Sequence, residues 1–261
     1  MKPNKYAVIT GASSGIGYAL CRQALLRGYI PIMVANDEAK LAIAAQRLNQ
    51  GAGADIITLP CNLADMGSLD DLMSRLMPYI ESIEVFINNA GIGQAGEFVN
   101  FSLDEHRNML AININALVTL SHFITRHFVQ KKRGYLMNVA SLAAFQPGPY
   151  YAGYYATKSY ILHFTEGLTV EMARHNVVCS ALCPGTTRTL FHQRAGSTET
   201  GLANGLFGIV MSADNVARVG FAGLLKRRAV IVPGIVNTLA MWSVRWGPRW
   251  LVRRITASIN Q

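Results

Sequence analysis

Carboxylates are scarce in this chain, and over its last stretch they are absent. There are 15 Asp and Glu against 24 Lys and Arg, and none of the acidic residues falls between Asn215 and Gln261. In that stretch Arg218, Lys226, Arg227, Arg228, Arg245, Arg249, Arg253 and Arg254 supply eight of the nine formal positive charges. The first 214 residues are therefore nearly neutral. Charge confined to one end is not the basic face of a nucleic-acid-binding protein, so nucleic acid is not an expected partner. Set beside Trp242, Trp246 and Trp250, the basic segment reads instead as a surface for a membrane or a protein partner.

Metal-binding patterns are missing as well. Cys21, Cys61, Cys179 and Cys183 lie in apolar stretches with no CxxC spacing, and no histidine is grouped with them or with another histidine as a ligand pair. No metal is expected, and the cysteines read as small core residues of a protein in a reducing compartment. Long apolar runs are lacking too. Ala229 to Val244 is interrupted by Pro233, Gly234 and Asn237 and falls short of the ~18 to 20 apolar residues that span a bilayer. Met1 to Tyr6 lacks the apolar region of a secretion signal. The expected location is cytoplasmic, with membrane association through the C-terminal segment left open.

What is present is core-forming material. Of 261 residues, 51% are hydrophobic and 15% charged, with mean hydropathy +0.22, enough for one large α/β domain spanning 1–261. Short β-rich runs alternate with longer helical patterns, the signature of a parallel sheet with crossover helices. Strands are expected at Tyr6–Thr10, Ile30–Ala35, Ile56–Leu59, Val85–Asn88, Tyr135–Ser141, Val177–Cys183 and Val230–Val232. Several are unbroken Val, Ile and Leu runs, as befits strands buried on both faces. Helices are expected at Gly15–Arg27, Glu38–Asn49, Ser68–Tyr79, Leu103–Gln130, Tyr151–His175 and Asp214–Lys226. The fold class is a single-domain, Rossmann-type, doubly wound sheet of about seven strands with helices on both faces. Residues 186–211, rich in Gly, Thr and Ser, read as a substrate loop. Residues 234–261 form the basic, Trp-containing segment.

Directly after the first expected strand comes Thr10-Gly11-Ala-Ser-Ser-Gly15-Ile-Gly17, opening a helix. Glycines at such a turn let backbone approach a pyrophosphate, and the helix N-terminus offers free N–H groups to the anion. The alternative, a helix-entry turn with no ligand, stands against the agreement of strand, turn and helix. Further along stand Asn88-Asn89-Ala90-Gly91 at the end of the fourth strand, Ser141 at the end of the fifth, and Tyr154 with Lys158 four residues later. Tyr150, Tyr151, Tyr155 and Tyr160 lack a lysine at that spacing. Tyrosine is a weak acid, with a reference pKa of about 10, and an ammonium one helical turn away favours its phenolate.

Taken in order, TGxxxGxG, NNAG, Ser141, YxxxK and Pro184-Gly185 resemble the short-chain dehydrogenase/reductase family over about Lys5 to Pro233. The resemblance implies a hydride transfer between NAD(P) and a carbonyl or alcohol, with Tyr154 handling the proton. Ser141 would orient the substrate oxygen, Lys158 would assist Tyr154 and reach the nicotinamide ribose, and Asn113 would hold a water linking Lys158 to solvent. It implies cofactor contacts from Gly11, Ser13, Ser14, Gly15, Ile16 and Gly17 at the phosphates. Asn36, Asn62 and Leu63 would meet the adenosine, Asn89, Ala90 and Gly91 would border the cofactor, and Pro184, Gly185, Thr187 and Thr189 would sit near the nicotinamide. An assembly of two or four copies is implied too.

Cofactor choice rests on Val34-Ala35-Asn36-Asp37. Ala35 stands where NAD-type members carry aspartate and Asn36 where NADP-type members often carry arginine, so neither rule is met, though the missing carboxylate favours NADP. Asp37 would repel a phosphate or turn to solvent, and Lys40 would supply a positive charge. Asn62 replaces the usual adenine-contacting aspartate, and an amide oxygen still accepts that bond. Phe145, Tyr150, Leu190, Phe191, Leu206 and Phe207 point to an apolar pocket. The rival reading is a non-catalytic dinucleotide-binding protein serving regulation or assembly, against which the retained Asn113, Ser141, Tyr154 and Lys158 argue.

Overall fold

The structure is a computed structural model that describes residues 4–50, 55–189, 195 and 210–261. Seven parallel strands form the central sheet: β1 (Tyr6–Thr10), β2 (Ile30–Ala35), β3 (Ile57–Pro60), β4 (Ile83–Asn88), β5 (Gly134–Val139), β6 (Val177–Leu182) and, late in the chain, β9 (Val230–Ile231). Their order is β3-β2-β1-β4-β5-β6-β9. The chain winds outward from β1 to β3, then crosses back to β4 and winds the other way. The crevice at the carboxyl ends of β1 and β4 is therefore the place where such a sheet takes a ligand.

The apolar runs are buried on both faces, as expected: Val8 and Ile9 of β1 and Ile32, Met33 and Val34 of β2 have no accessible surface. One face is covered by α1 (Gly15–Leu25), α2 (Glu38–Asn49) and α7 (Ala213–Leu225). Leu20, Ala24, Leu41, Phe221 and Leu224 of these helices share one core with Ile9 and Met33. The other face is covered by α3 (Met66–Leu76), α5 (Leu117–Lys131) and α6 (Ala152–Ala173), with Leu69, Leu72, Ile124 and Phe128 packed on Val8 and Phe86. Each such side chain contributes about 1.5–3 kcal/mol by leaving water, which is why alternate strand residues serve two different cores.

Two expectations need correction, and two further stretches gain detail. The helix expected over Leu103–Gln130 is α4 (Leu103–Leu110), a wide π turn at Ala111–Ala116, and α5. Asn113 sits in that π turn, a feature hydropathy periodicity does not register. Ser141 lies two residues beyond β5 and caps a short 3-10 turn, Leu142–Phe145. The ends of the 186–211 stretch pair as short parallel strands, β7 (Thr187–Arg188) and β8 (Met211–Ser212). Most of that expected loop, with Leu190, Phe191, Leu206 and Phe207, lies outside the described residues. Finally, the basic segment is a helix pair, α8 (Ile235–Trp246) and α9 (Arg249–Asn260), joined by Gly247-Pro248.

Candidate active site

A cavity of about 1160 Å³ opens at the carboxyl ends of β1, β4, β5 and β6 and runs under α8 and α9. It exceeds the roughly 300–1,000 Å³ of a pocket for one small ligand. Its floor is the glycine turn. Gly11 and Gly15 have φ of +65° and +56°, in the left-handed region where a side chain is strained. A β-carbon at Gly17 would fall 2.2 Å from the Gly11 carbonyl oxygen, so α1 packs against its own entry turn with no room for a methyl group.

The N-terminus of α1 is left open. Asp37, Asp65 and Ser102 close α2, α3 and α4 by accepting a backbone N–H, whereas Ser14 at the head of α1 makes no side-chain cap and no acid stands in the first turn. Free N–H groups, left-handed glycines and the positive end of a helix dipole facing one cavity fit a pyrophosphate. The second strand end is stapled to the first. Thr10 Oγ1 accepts from the N–H groups of Asn89 and Ala90 at 2.9 and 3.0 Å, and Asn89 Nδ2 donates to the Thr10 carbonyl at 2.8 Å. Asn88 reaches the other way, donating to Ser121 Oγ and Asn138 Oδ1. The Asn-Asn pair thus locks β4 to both neighbouring strands.

At the opposite end Tyr154 and Lys158 lie on the same face of α6, both buried. Burial raises the Tyr154 phenol well above its ordinary value, opposed by a hydrogen bond with Ser141. Burial pushes the Lys158 ammonium down to about 8. Its Nζ donates to the Val139 carbonyl at 2.9 Å and stands 5.7 Å from the centre of the Tyr154 ring. Ser141 Oγ accepts from the Ala143 N–H at 3.1 Å and also shares the hydrogen bond with Tyr154 that opposes the rise of its phenol.

Nearly all of the expected site residues meet in this one cavity. Gly11, Ser13, Ser14, Gly15, Ile16, Gly17, Asn36, Asn62, Leu63, Asn89, Ala90, Gly91, Ser141, Tyr154, Lys158, Pro184, Gly185, Thr187 and Thr189 all line it. Asn113 does not. It is fully buried behind the wall, where its Oδ1 accepts from Ile92 N–H and its Nδ2 donates to the Ile92 carbonyl and to Thr157 Oγ1. Asn62 Oδ1 accepts from Ala64 N–H, keeping one lone pair for another donor. Thr187 turns its hydroxyl to the Gly185 carbonyl, while Thr189 rests against Gly15 and joins this loop to the glycine turn. Phe145 lines the cavity; Tyr150 stands outside it with φ +63°. Lys40 does not point a free charge toward the adenosine end, because Asp37, which caps α2, holds its ammonium at 2.6 Å.

The wall contributed by α8 and α9 went unforeseen. Val236, Leu239, Val244, Leu251, Ile255 and Ile259 give the far end of the cavity an apolar lining. The spacing of Leu251, Val252, Ile255, Thr256 and Ile259 is that of one helix face and was the available signal. Asn237 anchors α8 by donating to the Pro233 carbonyl at 2.7 Å, and its side chain packs so closely on Gly185 that a β-carbon there would meet it at 2.7 Å. At the other end Asn260 accepts from Tyr155 Oη and donates to the Pro149 carbonyl at 2.7 Å, and Gln261 bonds Tyr150 Oη.

Residues 5–200 match the family model for short chain dehydrogenases. The chain belongs to the short-chain dehydrogenase/reductase family of oxidoreductases. Over 187 residues it is 30% identical to 5-keto-D-gluconate 5-reductase of Escherichia coli, covering 71% of this chain and 72% of that one. It also resembles a short-chain dehydrogenase from Sphingobium yanoikuyae solved with NADPH, with TM-score 0.82 and 29% identity, over 92% of this chain and 93% of that one. A bulky-bulky ketone specific alcohol dehydrogenase from Comamonas testosteroni matches with TM-score 0.78 and 27% identity, over 92% of each chain.

Proposed function

We propose that the chain interconverts a carbonyl and an alcohol group of an apolar small molecule with NAD(P), Tyr154 giving or taking the proton at oxygen. The observation behind this reading is the buried Tyr154–Lys158 pair at one end of a cavity whose other end is an uncapped glycine turn. When bound, the dinucleotide supplies or accepts the hydride. Gly11, Ser13, Ser14, Gly15, Ile16 and Gly17 would hold its phosphates, Asn36, Asn62 and Leu63 its adenosine, and Asn89, Ala90, Gly91, Pro184, Gly185, Thr187 and Thr189 the reactive half.

Ser141, hydrogen-bonded with Tyr154 before substrate arrives, would turn its hydroxyl proton to the substrate oxygen. Tyr154, held protonated by burial, stands beside it as the donor. As negative charge gathers on the oxygen, the phenolic proton passes to it. The phenolate left behind is stabilised by Ser141 and by the nearby Lys158 ammonium. Asn113 acts through position: it pins Ile92 and so holds the Gly91 turn against Lys158. Its Nδ2 is committed to protein partners, while its Oδ1 accepts once and keeps one lone pair for a water next to Lys158.

NADP is proposed over NAD because no Asp or Glu is among the described residues that line the cavity, so nothing there repels a 2′-phosphate. Assembly into a homodimer or homotetramer is supported by apolar side chains left exposed away from the cavity, such as Leu103 and Leu110 on α4 and Val170 on α6. A cytoplasmic location is supported by four free, buried thiols.

The test is oxidation of NADPH across a panel of ketones and aldehydes. Tyr154→Phe should lower kcat/KM by at least about 100-fold while NADPH titration shifts no more than a few-fold. Unchanged turnover in that variant would remove Tyr154 from the reaction. Tight dinucleotide binding with no turnover on any carbonyl would favour the non-catalytic reading.

A further inference from the structure

Seen from outside, α8 and α9 are unusual. Ile235, Leu239, Trp242 and Trp246 recur at i, i+4, i+7 and i+11 along α8 and so share one face, and that face is turned to solvent: Ile235 and Trp246 are each 81% exposed. Trp250, Leu251 and Ile255 continue the apolar surface onto α9. Exposed arginines are interleaved with it. Arg245 lies over the Trp242 ring and Arg254 over the Trp250 ring, each 5.8 Å from the ring centre, and Arg249 and Arg253 are exposed on α9. A contiguous patch of this kind marks an interaction surface.

We infer that this helix pair seats the protein on the surface of an anionic phospholipid bilayer, with the cavity mouth facing the lipid. The charge settles the choice of occupant. No acidic side chain stands from Asn215 to Gln261 to answer four arginines, so a second copy meeting this face about a twofold axis would set like charge against like. Anionic headgroups answer all four, and tryptophan and arginine are the side chains that suit an apolar-to-polar boundary. The helices lie on the membrane without crossing it, since no helix among the described residues is long and apolar enough to span. Leu239, Leu251 and Ile255 belong both to the exposed patch and to the cavity wall. An apolar carbonyl compound dissolved in the bilayer would thus reach the cavity without passing through water; this last step rests on the proposed function, and the docking itself does not.

All three tryptophans of the chain lie in the patch, so the unmodified protein reports on its own docking. Adding vesicles of phosphatidylcholine mixed with phosphatidylglycerol should shift its tryptophan emission to the blue and make it quenchable by bromine-labelled lipid, whereas pure phosphatidylcholine should bind at least about tenfold more weakly. Replacing Arg245, Arg249, Arg253 and Arg254 by Gln should remove that preference. Replacing Trp242, Trp246 and Trp250 by Ser should abolish co-sedimentation with either vesicle. None of these seven lines the cavity, so NADPH titration and melting temperature should hold in both variants. Emission that ignores the vesicles overturns the inference, whether or not the protein turns over a carbonyl. So does a self-association in solution that the tryptophan replacements break while vesicle binding stays absent, which would give the face to a second copy.

Discussion

The two ends of the cavity are built by different means. At the phosphate end the shape is made by backbone: two left-handed glycines, a third with its α-carbon against a carbonyl, an uncapped helix, and strand ends stapled by Thr10 and Asn89. At the far end the shape is made by side chains of α8 and α9 packing onto elements distant in sequence, as with Asn237 on Gly185 and Asn260 on Pro149. Backbone constructions allow few sequences and leave a motif. Side-chain walls allow many and leave only a periodicity. The family-model match stops at residue 200, so the wall that α8 and α9 give the cavity lies beyond the part of the chain that carries the family's sequence motifs.

The contrast can be broken most severely at Gly17. Gly17→Ala places a methyl group 2.2 Å from the Gly11 carbonyl and 2.5 Å from Asn89 Nδ2. Overpacking against backbone costs about 1–3 kcal/mol, so the melting temperature should fall and NADPH affinity should drop by at least about tenfold. A variant with wild-type stability and affinity would show the turn to be adaptable. The contrast would then fail.

A pH series sharpens it from the chemical end. Burial lowers Lys158 to about 8 in the folded protein from the 10.5 of an ordinary lysine. Between those values the unfolded chain binds more protons at this site, so the contribution of Lys158 to stability rises with pH over that window. Raised thiol and phenol groups, Cys183 and Tyr154 among them, work in the opposite direction. The measurement is therefore the difference in melting temperature between wild type and Lys158→Met. That difference should move in favour of wild type from pH 8 to 10 and stay flat from pH 6 to 7. A flat difference throughout would mean that the ammonium is better solvated than its surroundings indicate.

The smallest effect is expected at the roof. Asn260→Ala removes two hydrogen bonds, to Tyr155 and to Pro149. Each is worth about 1 kcal/mol, so a modest fall in melting temperature should accompany a few-fold rise in KM for a bulky apolar ketone. NADPH affinity should not change. Should KM stay fixed while NADPH binding weakens, the roof would belong functionally to the cofactor end.

Legibility followed the same division. The strands could be placed to within two residues because burial on both faces demands uninterrupted Val, Ile and Leu. Gly11 to Gly17, Asn89, Tyr154 and Lys158 could be read because fixed spacing is required for one turn and one helix face. Asn113 was found, but its place behind the wall was not, since a π turn has no hydropathy signature and its side-chain partners on Ile92 and Thr157 are remote in sequence. Lys40 was misplaced because its neighbour Asp37 serves two tasks, capping α2 and holding the ammonium. Helices α8 and α9 were hidden by Trp and Arg scattered on the face that a soluble helix ordinarily keeps polar.

The wide turn at Ala111–Ala116 holds one residue more than a regular helix would use over the same length. A straight rod from Leu103 to Lys131 is therefore a single deletion away. Such a deletion would regularise the ladder of backbone bonds and keep the flanking turns in register, yet it would remove the bulge that aims Asn113 at Ile92 and Thr157 and so carry the partner of Ile92 off its mark. Thermostabilisation by shortening this element should be expected to yield a sturdier protein with a misaligned lysine.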